Sequence, residues 1–192
     1  YGKMINGEKW LKNGIKCDLT VIPLNNYNHK TTYSLPVKPS PNLPNNKSIN
    51  LYPSLCFFEG TNVSVGRGTE MQFQVIGAPY LFDEKHPFDF VPKSNLGSKY
   101  PKHDNKMCHG SDLRKEKKLN KIKLKWLIDF YNFNQKNNSK EKFFNPFFTK
   151  LAGTEKLQQQ IEQGLSEEEI RKTWEKDLEA FKKIKERYLI YE

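Results

Sequence analysis

Glu59-Gly60-Thr61-Asn62-Val63-Ser64-Val65-Gly66-Arg67-Gly68-Thr69 holds three glycines, three small hydroxyl side chains, one Asn, one carboxylate and one guanidinium. An apolar run, Leu55 to Phe58, precedes it, and an alternating run, Met71 to Ile76, follows. Glycines let the backbone take φ > 0 and let a ligand come close, and Thr61, Asn62, Ser64 and Thr69 present donors and acceptors suited to a hydroxyl-rich partner. Arg67 adds a planar fork that fits a carboxylate or a phosphate. The plainer reading is a glycine-rich β-hairpin in which Gly66 and Gly68 serve only the turn.

The flanking sequence divides by proline. Ten of the eleven prolines precede Lys102 and only Pro146 follows, so the first half is expected to be strand, turn and loop and the second half helical. Met4, Ile5 and Trp10-Leu11 with Asn13-Gly14 predict the tail of a helix over residues 2 to 12. Cys17 to Leu24 reads as a strand covered on both faces. Asn25 to Asn50 is polar, and Pro36, Pro39, Pro41 and Pro44 bar helix and central strand there. Leu55 to Phe58 and Met71 to Ile76 are further strand candidates. Phe82 to Asp112 reads as a long, aromatic, ordered loop.

Leu124, Leu127, Ile128 and Tyr131 place one apolar stripe on a helix of about three turns. Thr154 to Gln163 forms a short helix with Gly164 beyond its C-terminus, and Ser166 with Glu169 makes a capping box for the next. Ile170, Trp174, Leu178, Phe181, Ile184 and Tyr188 carry a single packing stripe down that last helix. The fold class is therefore α+β: a strand- and loop-rich N-terminal half with a small mixed sheet and a helical C-terminal half packed on it, forming one domain over residues 1 to 192.

A formal charge of +10 invites a nucleic-acid reading. Only four of the 32 cations are arginines, however, and the lysines are spread along the chain and mixed with Glu in the C-terminal third. Base and phosphate readers favour the bidentate Arg fork, so generic attraction to anionic polymers survives and nucleic-acid recognition does not. Cys17, Cys56 and Cys108 are odd in number and widely spaced, which gives neither a disulfide framework nor a CxxC motif. No apolar run is long enough to span a bilayer. The chain begins at Tyr1 rather than Met, which reads as a processed or truncated polypeptide.

Glu59 is the candidate general acid or base, with a structural acceptor at a strand end as the alternative. A glycosidase needs a second carboxylate, and the spacing of Glu70, Asp83 and Glu84 selects none of them. His103, Asp104, Cys108, His109 and Asp112 gather ligand types without a zinc or iron spacing, so no metal and no cofactor is expected. Gly66-Arg67-Gly68-Thr69 is not a P-loop. Tyr27, Tyr33, Tyr52, Tyr80 and Phe82 are candidates for stacking on sugar faces, with core packing as the alternative.

Several segments together resemble one family. Lys38-Pro39-Ser40-Pro41-Asn42-Leu43-Pro44-Asn45, Leu51-Tyr52-Pro53-Ser54, the block from Phe58 to Thr69, and Gln74-Val75-Ile76-Gly77-Ala78-Pro79 occur in the order found in a bacterial group long catalogued as a domain of unknown function. That group is associated with exo-β-N-acetylmuramidases of peptidoglycan recycling. Residues 147 to 154 and the end of the chain from Ile170 also resemble it. The resemblance implies a two-domain glycoside hydrolase that releases terminal N-acetylmuramic acid, with a Rossmann-like N-terminal domain and an α+β C-terminal domain meeting at a cleft. It implies that the main catalytic acid belongs to an N-terminal domain absent here, which would be a partner of this chain beside muramyl-containing cell-wall fragments. On matching positions it implies Asn42, Thr61, Asn62, Arg67 and Thr69 as substrate-binding residues and Glu59 as a ligand-facing carboxylate. A periplasmic or exported location follows from the resemblance alone. The competing expectation is a non-catalytic carbohydrate- or cell-wall-binding module.

Overall fold

The computed structural model describes residues 1–82, 84, 86–137 and 142–191. Asp83, one of the carboxylates considered above, lies outside the described residues. The chain forms two compact units: Tyr1–Tyr33 with Arg171–Glu192, and Ser34–Ile170.

In the larger unit, helix α2 (Asn46–Leu55) begins at a reciprocal cap. The Ser48 amide donates to Asn45 Oδ1 at 2.9 Å, and the Asn45 amide donates to Ser48 Oγ at 3.3 Å. Ser48, Leu51 and Leu55 share the buried face at helical spacing. Pro53 cannot donate to the carbonyl four residues back, and the helix tightens into a 3-10 turn, Cys56–Gly60. This corrects two expectations. Leu55 to Phe58 is not a strand, because the Asn45 cap and the 48/51/55 stripe outweigh the local β-propensity. Asn25 to Asn50 is not free of helix either.

The sheet has the order β1 (Val75–Ala78), β3 (Cys108–Asp112), β2 (Phe88–Phe90), and both strand ladders are antiparallel. Gly77 faces Gly110 across the β1–β3 ladder. A Cβ on Gly110 would run into the Ile76 carbonyl, so the strands approach as closely as glycine permits. Met71 to Gln74 turns before the strand begins, which removes the expected strand start at Met71 and with it the hairpin reading of the glycine-rich stretch. The described residues of the aromatic stretch Phe82 to Asp112 supply two of the three strands rather than only loop.

Helices α3 (Lys125–Lys136), α4 (Phe148–Ala152) and α5 (Lys156–Glu162) follow. Leu124, Leu127 and Phe130 are buried, and Phe130 meets Phe58 edge-on at 5.6 Å. Thr154 Oγ1 accepts from the Lys156 amide, and Gly164 has φ +82°, as the caps of α5 predict. The Ser166–Glu169 box forms at the start of α6 (Glu167–Lys172), with the Ser166 amide donating to Glu169 Oε2 at 2.8 Å.

The smaller unit contains α1 (Gly2–Gly7), a 3-10 turn at Lys12–Gly14, and α7 (Glu175–Glu186). The Asn6 side chain brackets the Cys17 peptide, donating to its carbonyl at 2.9 Å and accepting from its amide at 3.0 Å. Tyr188 and Arg187 both reach Glu8 Oε1. Cys17 to Leu24 forms no strand: no ladder partner lies beside it among the described residues, and Ile22 and Leu24 are exposed. The single last helix is two, α6 and α7; along the expected stripe Ile170 is buried, Trp174, Phe181, Ile184 and Tyr188 are half-buried, and Leu178 is exposed.

Candidate active site

The stretch from Glu59 to Thr69 is held from several sides. The Asn62 amide donates to the Phe143 carbonyl at 2.9 Å, and Ser64 exchanges two backbone bonds with Gly77 of β1, at 2.8 and 3.0 Å. The Phe73 amide donates to the Val65 carbonyl at 2.8 Å. Gly60 lies so close to α4 that a Cβ there would stand 2.5 Å from Phe148 Cα. Gly66 and Gly68 have φ of +76° and +81°, and a Cβ on Gly68 would meet the Lys93 carbonyl at 2.7 Å. These glycines thus serve both the turn and a close backbone approach.

A concavity of about 380 Å³ opens beside this stretch, lined by Glu59, Ser64, Val65, Arg67, Ser98, Tyr100, Pro101 and Lys102. Arg67 Nη2 pairs with Glu59 Oε1 at 2.5 Å, with the two side chains 35% and 22% exposed. The guanidinium also lies over the Phe73 ring, 5.2 Å from its centroid, so its face and one edge are fixed while part of the group meets solvent. Tyr100 is almost wholly exposed on the rim. Tyr52, edge-on to Phe73 at 4.9 Å, has its phenol pKa raised by burial, then by Cys56 and Glu59, with Arg67 opposing.

Lys102 enters from the opposite side. Its Nζ donates to three carbonyls of the stretch: Phe58 at 3.0 Å, Thr61 at 2.5 Å and Val63 at 2.9 Å. Burial pulls its ammonium down to about 8; Glu59 opposes that fall and Arg67 adds to it.

The expected site residues therefore separate. Glu59 and Arg67 face the concavity together. Thr61 is buried, its hydroxyl donating to the Phe58 carbonyl at 2.8 Å and accepting from the Val63 amide at 3.1 Å. Thr69 Oγ1 donates to the Gly66 carbonyl at 2.7 Å and accepts from the Met71 amide at 2.9 Å. The Asn62 side chain accepts from the Tyr80 hydroxyl and donates to Asn134 Oδ1, and its carbonyl accepts from His103 Nε2 at 2.7 Å. Asn42 donates to the Gly97 carbonyl at 2.7 Å and is not among the residues lining the concavity; its Oδ1 is buried without a partner. In this structure these four side chains shape the loop and its neighbours, and Glu59 and Arg67 present the chemistry.

The ligand-type residues of 103 to 112 diverge. Asp104 accepts from the Ser94 amide, His109 Nδ1 donates to Asp89 Oδ1 at 2.6 Å, and Asp112 pairs with Arg114. Cys108 is buried in the sheet, where burial pushes its thiol up to about 12. Sequence reasoning missed Lys102, Ser98 and the Phe73 platform. Phe73 stood in an alternating run that read as a strand, and a lysine between Pro101 and His103 carries no periodic signal.

Residues 50–191 match the family model described as exo-beta-N-acetylmuramidase NamZ, C-terminal, and residues 1–47 match the corresponding N-terminal model. The chain belongs to the NamZ family. A Bacillus subtilis (strain 168) relative, named peptidoglycan beta-N-acetylmuramidase NamZ, is 33% identical over 197 residues, covering 92% of this chain and 46% of that protein. A crystal structure of a DUF1343 family protein from Bacteroides fragilis superposes with a TM-score of 0.89 at 45% identity, over 100% of this chain and 54% of the other. A second DUF1343 protein from the same organism, 18% identical with a TM-score of 0.76 over 98% of this chain and 54% of its own, shows the shared fold. The chain spans about half the length of these relatives. The α+β class agrees with the likeness to these solved structures.

Proposed function

We propose that this chain supplies the substrate-binding side of an exo-acting glycoside hydrolase that releases terminal N-acetylmuramic acid from peptidoglycan fragments. The observation that carries the reading is the Arg67 guanidinium on the concavity, resting on Phe73 and already holding one carboxylate, that of Glu59. N-acetylmuramic acid differs from N-acetylglucosamine by a lactyl carboxylate, the group such a fork receives. The resident pair is partly exposed and of the kind worth about 0–1 kcal/mol. Hydrogen bonds to a charged group are worth about 1.5–3 kcal/mol, so an incoming bidentate carboxylate can take its place.

Glu59 is the one acid among the residues lining the concavity. Glycosidic cleavage ordinarily uses two carboxyl groups. This supports a site completed by a second carboxylate from the part of the family's length that these 192 residues do not span. Glu59 then receives sugar hydroxyls or serves as one of the two. A substrate of this kind would put the protein's work in the periplasm or outside the cell, which fractionation of producing cells tests.

The deciding experiment compares hydrolysis of a chromogenic muramide by the 192-residue chain and by the chain extended to the full length of its relatives. Turnover only in the longer protein is the expected result. Glycan binding without turnover by either would favour a cell-wall-binding module instead.

A further inference from the structure

We propose that Lys102 is the positioning residue of this site: its protonated amine draws the carbonyls of Phe58, Thr61 and Val63 together and so sets the Glu59–Arg67 pair at the mouth. The inference rests on the reading of the concavity as a substrate site for its consequence in catalysis, but not for its geometry.

Three carbonyl oxygens converge on one nitrogen, at 2.5, 2.9 and 3.0 Å. An ammonium has three hydrogens and satisfies all three; a neutral amine has two and turns a lone pair toward the third. The acceptors bracket the site in sequence. Phe58 precedes Glu59, and Thr61 and Val63 begin the run that leads to Arg67. A carbonyl-lined pocket of this kind is one a monovalent cation would occupy, and here a tethered one does.

The charged groups facing Lys102 are Glu59 and Arg67, which act on its charge in opposite senses. From the other elements around it, Tyr100 lines the same concavity and His103, the next residue, donates to the Asn62 carbonyl inside the loop. The amine has no hydrogen left for substrate, so Lys102 acts through the backbone it holds.

Burial pulls the Lys102 ammonium down to about 8 from the ordinary 10.5, the cost of keeping a charge out of water for the sake of its three carbonyl partners. Between those two values the unfolded chain holds more protons on this group than the fold does, so the group adds to global stability as pH rises through the window. A released loop would return the amine to water and to its ordinary range, so the ordered loop gains on the released one over the same window.

The test follows the backbone amide resonances of Asn62, Val63 and Ser64 from about pH 6 to about pH 10 in wild type, Lys102→Arg and Lys102→Met, alongside KM and kcat for a muramide in the protein extended to the full length of its relatives. In wild type the three amides move together with a midpoint near 8. In Lys102→Met, KM rises about tenfold while kcat changes less, and Lys102→Arg restores most of it. Lys102→Arg, charged at every pH, abolishes the shared midpoint. Lys102→Met is insensitive to pH from the start; should it fail to fold, the wild-type and Arg titrations still decide. Amides that stay flat through pH 8, or a midpoint that survives in Lys102→Arg, overturn the clamp whatever the turnover. The midpoint without turnover at any pH leaves the clamp standing and removes the muramidase reading.

Discussion

At the scale of single residues, Arg67 carries the specificity argument. Arg67→Ala should lose roughly 10- to 100-fold in preference for a muramyl over a glucosaminyl substrate, the equivalent of about 1.5–3 kcal/mol for hydrogen bonds to a charged group. An unchanged preference would take the lactyl contact away from Arg67. The cysteines make a second prediction. Cys17 is exposed and Cys108 buried with its thiol pushed up to about 12, so iodoacetamide should label Cys17 in the folded protein and reach Cys108 only after denaturation. Equal labelling rates would contradict the burial. At this scale the sequence singled out Glu59 and Arg67 as the lone carboxylate and the lone guanidinium of a glycine-rich stretch, and the structure pairs them at the concavity. It did not separate Thr61 and Thr69 from the site, since a hydroxyl that closes its own turn and one that meets a sugar are identical in sequence.

At the scale of elements, the legible parts were those with both a cap and a period. The helices α3 and α5 were found by stripe and by turn residues. Helix α2 was missed because its Asn45 cap uses Ser48 instead of Glu or Gln and its interior includes Pro53. Asn45→Ala should therefore lower unfolding stability by about 1 kcal/mol in a denaturant titration, with no change in the slope. Gly60→Ala should do more, about 1–3 kcal/mol, since the added methyl has backbone of α4 in its path. A neutral Gly60→Ala would mean that α4 is free to retreat. Strands were the weak point for a physical reason: β1, β2 and β3 are three to five residues long, and pairing through Gly77 and Gly110 leaves almost no side-chain alternation to read.

At the scale of the whole molecule, the two units differ in what holds them. Among the described residues, every buried hydrophobic side chain but Met4 belongs to Ser34–Ile170. Hydrogen exchange should accordingly be fast in residues 1–33 and 171–191 and slowest in β1, β3 and α3, a difference of orders of magnitude in protection. Uniform protection would show that the smaller unit has support of its own. The charge of +10 bears on a third candidate partner. If lysines only coat the surface, affinity for DNA should be weak and collapse between about 50 and 200 mM salt without sequence preference.

The uncovered run from Ile15 to Leu24 has a colloidal consequence. Its backbone forms no ladder and its apolar side chains meet water, so copies of this chain have a ready means of sticking to one another. Mutual repulsion of the lysine-rich surfaces holds them apart only while the ionic atmosphere is thin. Light scattering should thus rise as sodium chloride is added, the reverse of ordinary salting-in, and Ile22→Lys should suppress it.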